Sequence, residues 1–268
     1  MRVGYHVAYD PDPLDALEYA YEHGFDYIVP DLTIPRFWPE YIDDDKRREL
    51  RRGSGDLDVQ IALHAPLNLD LSTIYPEVRR GVLKRLSRCL EMAVDLEAMW
   101  MTLHPSQPPT FPSAGGEVHL QGYLELHREA LMETLSNAAS QGVDIHIEND
   151  PLTPLIEDVL EELLREKANL HLTLDIPKAQ DPAKGDPERV LGFYLRHKER
   201  VRELHLHDKR PDGHAHDILG LGGVDLKRYL RLFADVPNYT IEVRPREKAY
   251  KSLLWLRDYW SHLKSPLC

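Results

Sequence analysis

The chain has 268 residues, 42% hydrophobic and 29% charged, with a formal net charge of −12. That length suits one α/β barrel of about 250 residues as a single unit. The acid excess argues against general affinity for nucleic acid, although bound metal ions could reverse the potential inside one cleft. No run approaches the roughly 18 apolar residues of a membrane span, and MRVGYHVAYD opens into a strand pattern with no secretory leader. Cys89 and Cys268 form no disulfide framework, so a cytoplasmic protein without membrane attachment is expected.

Extended and helical patterns alternate along the chain. A strand near Val3–Tyr9 leads to a helix near Leu14–His23, for which Asp10-Pro11-Asp12 supplies the start signal. A second strand, Tyr27–Leu32, precedes a Pro- and aromatic-rich loop and a charged helix around Asp43–Arg52. The third strand is Val59–Leu67, and its helix, Pro76–Leu96, repeats Val82, Leu83, Leu86, Leu90 and Val94 at helical spacing. Strand Met99–His104 follows, then a long loop, Pro105–Gly116, rich in Pro, Ser and Gly and expected to be mobile. Helix Gln121–Gln141 leads to strand Val143–Glu148, and helix Leu155–Lys167 leads to strand Leu170–Asp175. Helix Glu188–Val201 precedes a strand running into His205, then come helix Leu226–Phe233, strand Tyr239–Val243 and an amphipathic helix, Glu247–Leu263. Eight strand–helix units with short connections predict a closed parallel (β/α)8 TIM barrel, one α/β domain over residues 1–268.

The strands share a phase. Ile61-Ala62-Leu63-His64, Met101-Thr102-Leu103-His104, Ile145-His146-Ile147-Glu148, Leu172-Thr173-Leu174-Asp175 and Tyr239-Thr240-Ile241-Glu242 each alternate and end on a polar residue. Side chains alternate faces along a strand, so the aliphatics point out to the helices and the terminal His, His, Glu, Asp and Glu point into the mouth. His205 fits the same phase between Leu204 and Leu206. The stretch Glu203–Asp225, ELHLHDKRPDGHAHDILGLGGVD, adds His207, His214 and His216 just beyond it. Carboxylates and imidazoles converging on one mouth are costly to desolvate without a cation, and divalent metals suit such ligands.

These residues resemble a known superfamily, the xylose isomerase-like barrels that include endonuclease IV and sugar-phosphate isomerases and epimerases. The matching motifs, in family order, are LHAPLNL at His64, LHPS at His104, IEND at Glu148, LDIPK at Asp175, HLHD at His205, HAHDILGLG at His214 and IEV at Glu242. The resemblance implies one divalent ion, Zn or Mn, on Glu148, Asp175, His205 and Glu242, and a second on His64, His104 and a bridging Glu148. A third ion, as in the nuclease, would need a histidine where this chain has Lys178 and an Asp-x-His where it has His214-x-His216. His214 and His216 therefore stay as candidate ligands without a complete third site. Leu221 also replaces the glutamate usual in the nuclease's Gly-Glu-Gly turn.

The expected activity is metal-dependent isomerisation or epimerisation of a small sugar or sugar phosphate through an enediolate. Glu148 and Glu242 would move the proton, and Lys178, His207 and Arg244 would contact the substrate. The alternative is an endonuclease IV-like phosphoesterase with two ions bridged by Glu148. The expected partner is a small neutral or phosphorylated sugar, with nucleic acid disfavoured but left open along with a homodimer. His6 is expected to be structural, with a place lining the pocket as the alternative, His23, His127, His197 and His262 to lie on helix surfaces, and Phe37 and Trp38 to lid the mouth or meet a partner chain.

Overall fold

The computed structural model describes residues 1–118 and 121–264. Its strands are β1 (Arg2–Val7), β2 (Tyr27–Pro30), β3 (Gln60–Ile61), β4 (Leu63–His64), β5 (Met101–Leu103), β6 (Phe111–Ser113), β7 (Gly116–Val118), β8 (Ile145–Glu148), β9 (Leu170–Asp175), β10 (Val201–Leu206) and β11 (Asn238–Ile241). The helices are α1 (Pro13–His23), α2 (Asp44–Leu57), α3 (Pro76–Asp95), α4 (Gln121–Ser140), α5 (Pro154–Glu166), α6 (Ile176–Ala179), α7 (Pro187–Arg196), α8 (Leu226–Leu232) and α9 (Arg246–Lys264). All pairings in the main sheet are parallel, in the order β3-β2-β1-β11-β10-β9-β8-β5-β4. β3 and β4 are the two halves of the third barrel strand, broken at Ala62. Ala62 N–H donates to Ile28 O at 2.9 Å and Leu63 N–H to Trp100 O at 3.0 Å, so one half holds β2, the other holds β5, and the barrel closes.

Local chemistry sets the element boundaries. Asp12 caps α1 by accepting from Leu14 N–H and Asp15 N–H, Pro13 opens the first turn, and Gly24 ends the helix at φ 75°, where a side chain is disfavoured. Thr153 caps α5 in the same way with Pro154 at its first position. The aliphatic faces of the strands pack against the helices in one continuous core that includes Leu63, Leu103, Ile147, Leu174, Leu206 and Ile241. Inside the barrel, Tyr27, Val29, Ala62 and Trp100 form a small apolar plug. Gly4 faces it, and a Cβ there would fall 2.3 Å from the Tyr27 ring.

Three expectations are corrected. The helix expected over Glu188–Val201 ends at Arg196. A single turn at Lys198–Arg200 follows, and Val201 already pairs in β10, where its β-branched side chain is buried. The Pro105–Gly116 loop is structured: Phe111–Ser113 pairs antiparallel with Gly116–Val118, Phe111 stacks on Tyr123, and Ser106 Oγ ties the loop to Leu69 and Leu71. α2 runs on to Leu57, through two glycines, until Asp58 takes a left-handed conformation. Cys89 is a buried core thiol on α3, while Cys268 lies outside the described residues. No helix among the described residues is long and apolar enough to cross a membrane.

Candidate metal centre

Strand register assembles the mouth. His205 of β10 lies beside Asp175 of β9 and Thr240 of β11, and Glu148 of β8 lies beside Thr173 of β9. The expected strand-end groups therefore meet. His205 Nδ1 lies 3.3 Å from Glu148 Oε2 and 3.2 Å from Glu242 Oε1. Glu148, Asp175 and His205 offer ligand atoms within 4.8 Å of one another, as do His64, His205 and Glu242. Glu148 and His205 are fully buried.

His64 Nε2 and His104 Nε2 approach the same Glu148 oxygen at 3.4 and 3.1 Å, forming a second group around a shared carboxylate. His64 Nδ1 lies 2.9 Å from Ala65 O, a contact that places its proton on Nδ1 and leaves Nε2 free to ligate. His207, His216 and Glu242 make a further group. There the His216 backbone N–H donates to His207 Nδ1 at 3.2 Å, so a neutral His207 carries its proton on Nε2, 3.5 Å from Asp175 Oδ2. His207 thus supports a ligand. His214, by contrast, is exposed and joins none of these groups.

Lys178, in the short α6, reaches back over the cluster. Its ammonium donates to Glu148 Oε1 at 2.5 Å and sits 3.3 Å from Asp150 Oδ2 and 3.4 Å from Asp175 Oδ2. Burial pushes the Glu148 carboxyl up, but Lys178, then His104 and His205, outweigh it and hold it well below the usual range. Burial likewise opposes charge on His205, and Glu242, Glu203 and Glu148 override it, raising its pKa well above that of free imidazole. Asp175 follows the Glu148 pattern, kept low by Lys178 and His207 against burial.

The donor set fits a divalent cation. His104 Nε2, Asp175 Oδ2 and His205 Nδ1 are all buried and make no hydrogen bond. Orphaned buried atoms of this kind are rare and need an explanation, and carboxylate oxygens with imidazole nitrogens are the ligands Zn and Mn accept.

Two groups of residues carry more than the sequence reading gave them. Glu203, fully buried two positions before His205 and on the same face, accepts from Thr102 Oγ1 (2.8 Å), Thr173 Oγ1 (2.6 Å), Thr240 Oγ1 (2.6 Å) and Trp100 Nε1 (3.1 Å), and its Oε1 lies 3.2 Å from His205 Nε2. Asn149 locks Asp175 from both sides, its Oδ1 accepting Asp175 N–H at 2.7 Å and its Nδ2 donating to Asp175 O at 3.0 Å. The period-2 phase signals Glu203, whereas nothing local marks Asn149. The loop after β10 is pinned by Asp208, whose carboxylate accepts backbone N–H groups of Lys209, Gly220, Gly222 and Val224 at 2.9–3.1 Å.

Phe37 is buried core and so does not lid the mouth, while Trp38 stacks on Tyr41 under Arg85. His127 is also buried, contrary to the surface expectation, and donates from Nε2 to Pro105 O at 2.5 Å.

A closed parallel barrel with this cluster at the C-terminal ends of its strands defines the class: an α/β barrel whose mouth suits a divalent ion among carboxylates and imidazoles. The chain belongs to the xylose isomerase-like TIM barrel family, whose model matches residues 17–259. An uncharacterised protein of Methanocaldococcus jannaschii is 30% identical over 171 residues, covering 61% of this chain and 60% of that protein, so the match spans under two thirds of the relative's length. Among solved structures, a D-tagatose 3-epimerase-like protein superposes with TM-score 0.75 at 20% identity, over 97% of each chain. The IOLI protein with a bound zinc atom superposes with TM-score 0.73 at 16% identity, over 96% of this chain and 97% of that one.

Proposed function

We propose that the chain is a divalent-metal-dependent isomerase or epimerase of a small sugar or sugar phosphate. The observation that carries the reading is the placement of Glu148 and Glu242 on either side of His205 Nδ1, at 3.3 and 3.2 Å, with Asp175 alongside. A Zn or Mn ion held by Glu148, Asp175, His205 and Glu242 would act as a Lewis acid on a substrate carbonyl. Glu148 and Glu242 then stand as two bases around one substrate carbon. One takes the proton α to the carbonyl and the other returns a proton, to the opposite face in an epimerisation. Lys178, already on Glu148 Oε1, holds that carboxylate in place and offers hydrogen bonds to a substrate oxygen. The likeness to a D-tagatose 3-epimerase-like protein agrees with this reading.

One observation favours a second reading. His64 and His104 converge on the same Glu148 oxygen, the arrangement for a second ion and a two-metal phosphoesterase. Against it, the Lys178 ammonium takes the other oxygen of Glu148, where the nuclease pattern puts a histidine.

The deciding test incubates metal-loaded protein with ketoses and their phosphate esters in deuterated water and follows loss of the α-proton by NMR. Deuterium incorporation that disappears in Glu242→Gln supports the isomerase. Absence of exchange from every ketose, together with cleavage of phosphodiesters and two ions per chain falling to one in a His64→Ala/His104→Ala variant, would sink it in favour of the hydrolase.

A further inference from the structure

Basic groups beside the mouth divide into two kinds. The charge of Lys178 is spent on Glu148, Asp150 and Asp175, and that of Arg246 on Asp10 and Asp15. Arg244 differs. It lies two residues beyond Glu242, is partly buried, and forms no ion pair with any acid among the described residues, in a chain carrying 45 acidic groups against 33 basic ones. Its Nε is buried with no hydrogen-bond partner. A guanidinium has five N–H donors, and burying one unpaired is a cost that native structures rarely carry without a reason.

What Arg244 does touch is an imidazole. Its Nη2 donates to His6 Nδ1 at 3.1 Å. Accepting that bond requires a lone pair on Nδ1, so the His6 proton sits on Nε2, which faces Asp31 Oδ2 at 3.6 Å. Asp31 is fixed in turn by Thr33 N–H on its other oxygen at 2.8 Å, and both His6 and Asp31 are buried. With Nε2 protonated, His6 is not a ligand, although it clusters with Asp31 and His64. The Asp31–His6–Arg244 chain is a device that orients a cation while leaving its charge uncompensated. It stands beside the metal cluster, the His6 ring 5.6 Å from the His64 ring and the His64 ring 6.0 Å from that of His205.

We propose that Arg244, held by His6 and Asp31, is an oxyanion anchor and that the substrate is an anionic sugar carrying a phosphoryl or carboxylate group. This rests on the isomerase reading for its chemistry but selects within it. A neutral ketose leaves the guanidinium unpaired, whereas a planar carboxylate or a phosphoryl group meets its fork with charge-assisted hydrogen bonds.

The test has a binding arm and a turnover arm, both on metal-loaded protein. Inorganic phosphate and acetate are titrated against wild type and Arg244→Gln by calorimetry, with chloride as control. Wild type binds at least one of the two roughly 10- to 100-fold more tightly than the variant, and the anion that shows the difference identifies phosphoryl or carboxylate as the group recognised. Equal binding of both anions by both proteins overturns the anchor. In the turnover arm, a ketose, its terminal phosphate ester and its terminal carboxylate are compared by deuterium exchange. The charged form matching the binding arm is preferred, and Arg244→Gln removes that preference through KM. A neutral ketose turned over as well as both charged forms overturns the anchor and leaves the isomerase standing. No exchange from any of the three, with Arg244-dependent anion binding intact, keeps the anchor and overturns the isomerase.

Discussion

His205 Nε2 faces Glu203 Oε1 at 3.2 Å, on the opposite edge of the ring from the nitrogen that faces Glu148 and Glu242. The contact lies off the line of an ideal hydrogen bond, so it is a constraint that a cation on Nδ1 would tighten. Glu203 cannot swing away, because three threonine hydroxyls and the Trp100 indole hold its oxygens. It therefore sets which nitrogen of His205 carries the proton and which is offered to the mouth. Glu203→Gln keeps the shape and removes the charge. Zinc affinity, measured by competition with a chromogenic chelator, should fall about 10- to 100-fold. Unchanged affinity alongside a lower unfolding temperature would reduce Glu203 to a purely structural role.

Much of this site is legible in the chain because strand periodicity is a local property. A residue two positions from another shares its face, so His64, His104, Glu148, Asp175, His205 and Glu242 could be sent to one mouth before any contact was known. What the pattern lacks is partnership. Glu203 obeys the same phase, yet an acid inside a barrel reads as an anomaly until donors from β5, β9 and β11 are found around it. His6 looks structural until Arg244, 238 positions away, is seen on its ring. His127 carries a surface-like helical position, and only the fold of the Pro105 loop over it makes it core. His214 errs the other way, since its spacing from His216 suggests a ligand pair but the turn leaves it exposed.

Lys178 occupies the cluster as a built-in monovalent cation. Removing it in Lys178→Met strands Glu148, Asp150 and Asp175 without their nearest positive charge, and breaking a buried pair in this way costs about 3 kcal/mol. The same change frees Glu148 Oε1 and removes repulsion toward a divalent ion. The metal-free variant should therefore melt lower than wild type, while the upward shift in melting temperature on adding zinc grows. Thermal unfolding with and without zinc checks both halves. A variant with an unchanged zinc shift would show that Lys178 and the ion do not share the carboxylates.

The loop bearing His216 depends on one carboxylate. Asp208 accepts four backbone N–H groups, and Gly222 passes so close that a Cβ would lie 2.3 Å from Asp208 Oδ1 and 2.4 Å from Lys209 O. Gly222→Ala meets backbone as well as side chain, so a simple rotamer change cannot relieve it. Asp208→Ala leaves four part-buried backbone donors without their acceptor, at a cost on the order of 3 kcal/mol. Urea denaturation should place both variants well below wild type, with Gly55→Ala, where nothing lies within 4 Å of the new methyl, unchanged or slightly stabilised as the control.

His127 gives the barrel an acid-sensitive joint at the Pro105 loop. Its Nε2–H donates to Pro105 O, while Nδ1 is buried without any partner. Protonation would place a second N–H on Nδ1 with nothing to receive it, and burial accordingly lowers the pKa from the ordinary 6.5. The sign follows directly. Between the unfolded value and the lowered folded one, the unfolded chain binds the extra proton and the folded chain does not, so the contribution is neutral above 6.5 and increasingly destabilising as pH falls below it. One such proton corresponds to about 1.4 kcal/mol per pH unit inside that window. His127→Gln retains a donor for Pro105 O but cannot titrate. Its urea-unfolding free energy should decline less steeply than that of wild type from pH 6.5 downward, the two slopes agreeing above it. Parallel curves below pH 6.5 would mean that His127 is already charged in the folded barrel.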